Sequence, residues 1–210
     1  MKRKTLIVAV AVCLAAILAF GTLAYYSSSD SVTNIFMVKD GEGDEIFQVD
    51  VYETDEDGEK TDTGRTYEKI KPGDKLSKDP TVENTGRYDQ YVRVNVTVTN
   101  AKAWQAACAK HNINDLATIF PDFDDDLWTR YDDPVYNEEA DTLTYTYYYN
   151  DVLAPEESVT LFKQVVIPTA FDQDDMKTLM RFELNVSADA IQSDNTGDNA
   201  HDAFVTYWKK

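Results

Sequence analysis

The sequence is short of cysteine, histidine and positive charge. It holds two cysteines and two histidines in 210 residues. Cys13 lies in the apolar N-terminal stretch, so a chain that loses this stretch keeps only Cys108. No intramolecular disulfide can then form, even though the N-terminus points to export, and the core must be held by packing or by neighbouring molecules. Cys108 sits in AKAWQAACAK, a helix-like run where a buried thiol is expected rather than a reactive one. His111 is followed by Asn-Ile-Asn and His201 by Asp-Ala-Phe, so neither stands in an H-E-x-x-H motif, and both read as exposed polar residues. A zinc hydrolase needs two or three clustered ligands, and the pattern offers none. A G-x-S-x-G elbow, a Cys/His pair in a local context and a phosphate-binding glycine loop are also missing. The sequence therefore reads as non-enzymatic, with a secreted metalloprotease the least supported alternative.

Positive charge is the third scarcity. The chain carries 20 Lys and Arg against 38 Asp and Glu, a net charge of −18. Nucleic acid and anionic lipid both demand Lys/Arg contacts, so neither is an expected partner. Aromatic and β-branched residues are plentiful, and the acidity does not imply disorder.

The N-terminus reads as a secretion signal. Lys2, Arg3 and Lys4 form a basic head, Leu6–Phe20 is an uncharged apolar core, and Thr22-Leu23-Ala24 supplies small residues before a cleavage expected between Ala24 and Tyr25. A retained anchor is the alternative, because Leu6–Tyr26 could just span a bilayer. A lipoprotein reading of Cys13 is disfavoured: Val12 precedes it and apolar sequence continues after it. Cleavage would remove three bases and leave a net charge of about −21 on the exported part. The expected organisation is a signal peptide over 1–24, an N-terminal segment over 25–40, and a β-sandwich over 41–210 with a helical insertion near 101–120.

The body of the chain is patterned for strands. Val32–Val38 is a short β-prone segment, and Glu45–Glu53 alternates with Phe47, Val49 and Val51 on one face. Thr54–Arg65 reads as a charged loop. Lys71–Val98 packs two turns and two strands into one stretch, through Pro72-Gly73-Asp74 and Asn84-Thr85-Gly86. Its second strand sets Val92, Val94, Val96 and Val98 against Arg93, Asn95, Thr97 and Thr99, a period of two with no helical component. Ala101–Ile119 predicts one or two short helices. Thr142–Asn150, Ser158–Ile167 and Leu179–Ala188 predict three further strands, and Asp198–Trp208 a C-terminal helix. Tyr145, Tyr147 and Tyr149 should share one face and Tyr148 the other, in a structural role first, with glycan or subunit contact as alternatives. The pattern points to a mainly all-β, jelly-roll-type antiparallel sandwich.

Particular segments carry a resemblance. These are GTLAYYSSSD at the end of the signal, Asn34-Ile35-Phe36, KPGDKLSKDPTVENTGRYDQYVRVNV, YYYNDVLAPEESVTLFKQVVIP and FELNVSADAIQSDN. Together they resemble the SipW-dependent exported family of Gram-positive bacteria, the TasA-like and camelysin-like biofilm matrix proteins. The likeness spans nearly the whole chain and is thinnest over Ala101–Asp141. It implies release by a dedicated signal peptidase, a jelly-roll core, and polymerisation in which one subunit's N-terminal strand completes the next subunit's sheet. The matching donor would be roughly Ser27–Val38, with Val32, Asn34, Ile35, Phe36 and Val38 as its assembly residues. The partners implied are other copies of the chain and further matrix components. The residues alone leave two readings open: donation to a neighbour at an open sheet edge, or an ordinary edge strand within a monomeric surface-binding module or adhesin.

No cofactor is expected. Asp122, Asp124, Asp125 and Asp126 are weak Ca²⁺ candidates, as is the Asp55, Glu56, Asp57, Glu59 run, but neither has the spacing of a calcium-binding loop. A solvated acidic surface is the simpler expectation. Divalent cations could still screen repulsion between such acidic subunits.

Overall fold

The computed structural model describes residues 27–30, 48–55, 57–179 and 181–208. The expected signal peptide, the Ala24–Tyr25 cleavage point and the assembly residues Val32, Asn34, Ile35, Phe36 and Val38 lie outside the described residues. Among the described residues twelve strands run in chain order: β1 Ser27–Asp30, β2 Val49–Thr54, β3 Lys60–Thr61, β4 Lys75–Ser77, β5 Thr81–Asn84, β6 Gln90–Thr99, β7 Trp128–Thr129, β8 Val135–Asn137, β9 Thr142–Tyr149, β10 Ser158–Thr160, β11 Gln164–Val166 and β12 Leu184–Gln192. Among the same residues three α-helices punctuate them, α1 Ala101–Lys110, α2 Gln173–Leu179 and α3 Ala200–Tyr207, with a 3₁₀ turn at Leu116–Ile119.

β6 organises the molecule. Its four valines, 92, 94, 96 and 98, are completely buried, while Arg93, Asn95 and Thr97 take the opposite face. Each buried valine is worth about 1.5–3 kcal/mol over an exposed one, which fixes the register, since a one-residue slip would turn all four to the outside. β6 pairs with β12 from Leu184↔Val98 to Gln192↔Gln90 and with β9 from Arg93↔Tyr148 to Thr99↔Thr142. The full sheet reads β1-β12-β6-β9-β7, with β8 also on β9. A second sheet, β10-β5-β2-β3, brings Val49 and Val82 to the same core. β4 and β11 form a third pair.

All described pairings are antiparallel, and they nest. β6 pairs with β9, β5 with β10, and β4 with β11. Expected strand Ser158–Ile167 is thus two strands, and the correction has a clear cause. Leu161 and Phe162 are consecutive and both buried, which a straight strand of period two cannot achieve. Its partner bends at the same place, at Asp79-Pro80. Two backbone bonds, Lys78 N–H to Lys163 O and Leu161 N–H to Pro80 O, hold the corner together.

Two other boundaries differ from expectation, whereas the stretch Ala101–Ile119 forms two short helical pieces as expected. The last long strand starts at Leu184 rather than Leu179, because Gln173–Leu179 is helical. Asp172 caps that helix by accepting the N–H groups of Asp174 and Asp175, at 2.9 and 3.0 Å. The charged loop after β2 contains the short strand β3. The expected helical stretch ends as α1 at Lys110, with Asn112 in the left-handed region (φ 57°) starting the turn towards the 3₁₀ segment. Asn100 does not cap α1 with its side chain; Asp141 does so from the β8–β9 turn, accepting the Lys102 N–H on its carboxylate and the Ala101 N–H on its backbone carbonyl.

The C-terminal helix forms as expected and covers part of the outer face of the main sheet. Its Ala200, Ala203 and Phe204 pack on Tyr91, Tyr148 and Ile191 in a second, smaller core. Arg93 lies inside this contact. Its guanidinium sits 4.5 Å from the Phe204 ring and 5.1 Å from the Trp208 ring, and donates to Asp189 Oδ2 through Nε and a terminal nitrogen at 3.1 and 2.5 Å.

Candidate functional site

The N-terminal edge of the main sheet is the first candidate. β1 has the sequence Ser-Ser-Ser-Asp and lies antiparallel to β12, with Ser27 opposite Ile191 and Asp30 opposite Ala188. Among the described residues it is the outermost strand, and its sequence offers no apolar side chain to anchor it. The opposite edge is built differently. β9 is covered there by two short pieces, β7 and β8, and the chain between them, Arg130-Tyr131-Asp132-Asp133-Pro134, leaves the ladder. Broken strands, paired acids and proline are devices that discourage strand addition. The two edges of one sheet therefore differ: one carries a short polar strand next to the expected cleavage point, and the other is guarded.

The second candidate is an open cleft of about 590 Å³ between the 3₁₀ segment and β7, lined by Asp115, Phe120, Phe123, Trp128, Arg130 and Tyr147 among others. Asp115 caps the 3₁₀ turn through the Ala117 N–H at 2.9 Å, receives Arg130 at 2.6 Å and accepts the Tyr145 hydroxyl at 3.2 Å. Burial pushes the Asp115 carboxyl up, but the Arg130 guanidinium and the Ala117 N–H outweigh it and hold the group below its ordinary range. Burial raises the Tyr147 phenol to about 12. Burial also raises Tyr145, and neighbouring Asp115 adds to that shift. These shifts lead away from neutrality, and the polar groups bond to one another, which makes the cluster a fastening for the insertion on the sheet.

The third candidate joins α1 to α2. His111 Nε2 lies 2.7 Å from Asp175 Oδ2, and Lys110 Nζ bridges Asp172 Oδ2 at 2.6 Å and Asp175 Oδ1 at 2.9 Å. The Asp172 backbone N–H, then Lys110 and His111, hold the Asp175 carboxyl far below its ordinary range against the cost of burial. His111 therefore departs from the exposed position expected of it: its side chain is 19% exposed and paired. His201 is likewise covered, stacking on Tyr131 at 4.2 Å. Cys108 shares α1 with His111, but burial lifts its thiol to about 11, so the thiolate that nucleophilic catalysis needs is scarce at neutral pH.

The acidic run is put to several local uses. Asp122 accepts the Lys163 N–H, Asp124 accepts the Asp126 N–H, Asp125 lines the cleft, and the Asp126 carbonyl receives Asn150. Among the described residues, the group of three or more ligand-type side chains that converges is His111, Asp172 and Asp175, not this run. Asp55 likewise closes its own loop, accepting the Asp57 and Glu59 N–H groups. Tyr145 and Tyr147 point into the main core, Tyr149 packs against it, and Tyr148 belongs to the outer cluster, the alternation expected for a structural role. Arg93 and Asp189 escaped the sequence reading, because a residue on the outward face of a strand gives no sign that a helix will return over it. Compared with known proteins, the chain matches no family model, no curated protein and no solved structure. Among the described residues no helix is long and apolar enough to cross a membrane.

Proposed function

We propose that this protein is a secreted structural subunit of extracellular matrix or surface fibres, polymerising when the N-terminal strand of one copy takes the β1 position on the next. The observation that carries the reading is the placement of Ser27–Asp30: a strand just beyond the expected cleavage point, at the outer edge of the main sheet, opposite a guarded edge. The nested antiparallel pairs β4–β11, β5–β10 and β6–β9 support a jelly-roll sandwich as the receiving body. In this reading a dedicated signal peptidase frees the donor, so assembly waits for export. The strand makes the same backbone bonds in its own sheet and in a neighbour's, so exchange needs no new surface.

β1 pairs here within its own chain, and that favours a second reading, a monomeric cell-surface binding module. One comparison separates them. The mature form beginning at Tyr25 is set beside a form lacking residues 25–38, and both are examined by electron microscopy and sedimentation. The fibre reading expects filaments from the first and a folded, non-polymerising monomer from the second. Identical filaments from both would refute strand exchange. A mature form that stays monomeric throughout would favour the binding module.

A further inference from the structure

We propose that the junction of α1 and α2 is a transition-metal site, taking Zn²⁺ or a similar first-row dication through His111 Nε2, Asp172 Oδ2 and Asp175 Oδ1, with Lys110 as its built-in competitor. One imidazole and two carboxylates are a donor set suited to zinc. One ligand-type atom from each of the three residues lies within 4.8 Å of the other two. Bonds of about 2.0–2.2 Å set the ligands of one ion at most about 4.4 Å apart, so the side chains would draw together around it.

The supporting contacts hold the donors in place. Asp172 commits Oδ1 to the Asp174 and Asp175 N–H groups and leaves Oδ2 facing the junction. Asp175 accepts the Asp172 N–H on Oδ2, which also meets His111 Nε2, and receives Lys110 on Oδ1. The His111 ring lies 5.7 Å from that of Phe171, at an interplanar angle of 36°. Outer contacts that fix the orientation of ligands are what distinguish a prepared site from a loose acidic patch.

The junction already attracts a cation. The Lys110 ammonium lies between the two carboxylates, and its side chain is 47% exposed, so it can swing into water without disturbing the core. A dication entering there replaces a single tethered charge. Three protein donors leave at least one coordination position for water, so the expected affinity is moderate. This inference is independent of fibre formation.

The test is calorimetric titration of the whole chain with Zn²⁺, with competition by a chromophoric chelator. The expected result is one saturable site per chain, weakened at least tenfold in His111→Gln and tightened at least tenfold in Lys110→Met, which removes the competitor. Circular dichroism checks that both variants fold, and Asp172→Asn, at an exposed carboxylate, serves as a second ligand variant. Binding that His111→Gln leaves unchanged would assign the ion to the general acidic surface and overturn the proposal. So would a Lys110→Met variant that binds no more tightly than the parent chain, or the absence of a saturable site in both.

Discussion

Arg93→Ala is the sharpest perturbation the structure offers. Arg93 and Asp189 are side chains with 13% and 5% exposure, paired across β6 and β12 and roofed by Phe204 and Trp208. Alanine removes the partner of a buried carboxylate, leaving Asp189 with only the Asn95 amide at 3.2 Å. Breaking a buried pair from one side costs about 3–5 kcal/mol. The two ring contacts are worth about 0.5–2 kcal/mol each, but they overlap with the first cost because the same guanidinium makes them all. The expected loss is therefore about 3–5 kcal/mol in total, a large share of the roughly 5–15 kcal/mol that holds a domain together. Replacing both partners, as Arg93→Met with Asp189→Leu, leaves no unpaired charge and should fall within about 1–2 kcal/mol of the parent. Urea unfolding of the parent, Arg93→Met, Asp189→Leu and the double variant, followed by tryptophan fluorescence and circular dichroism, measures the coupling. Hydrogen exchange should also show α3 opening before the sheet in Arg93→Ala. A single-variant cost below about 1 kcal/mol, or a coupling below about 0.5 kcal/mol, would refute the view that this pair fastens the helix.

Three further outcomes are expected. Asp175 has its carboxyl lowered by the fold, so the stability it contributes is full above the ordinary carboxylate pKa of about 4 and is lost as pH falls from there towards the lower folded value. Acid titration of thermal stability should show a shallower fall in Asp175→Asn than in the parent; equal acid limbs would dismiss the contact. Cys108, with its thiol raised to about 11, should react with a thiol-specific reagent at pH 8 at least tenfold more slowly in the native chain than in urea, and equal rates would contradict its burial. Removing divalent ions with EDTA at low salt should slow filament growth if cations screen the acidic subunits from one another, and unchanged growth would remove screening from the account.

Where one force acted alone, the sequence was readable. The valines of β6 needed only the alternation of apolar residues, and the tyrosines of β9 followed the same rule. The strand expected at Ser158–Ile167 failed because Leu161 and Phe162 satisfy two different layers across a corner, and a linear pattern carries no sign of a corner. α2 was hidden by the apolar residues after it, although Asp172, Asp174 and Asp175 form a helix-start signal that could have been read. The contacts between distant side chains were less legible still. Asp189 lies 96 residues from Arg93, and Asp175 lies 64 from His111, so only the folded topology brings either pair together. The β-prone segment read near the signal, Val32–Val38, lies outside the described residues; β1 falls in the polar Ser-Ser-Ser-Asp run before it, which has no apolar pattern to mark it or its place on β12.

The shortness of β1 has a mechanical consequence. In a fibre joined by β1 alone, tension passes from one subunit to the next through the β1–β12 ladder, four residues long. Inside each subunit β12 meets β6 along nine residue pairs with a packed apolar face beneath them. A pull along the strands loads each ladder in shear, and the shorter one, without an apolar anchor of its own, yields first. An overstretched filament would part at its joints into intact subunits whose freed strands can pair again, so the material would break reversibly and heal.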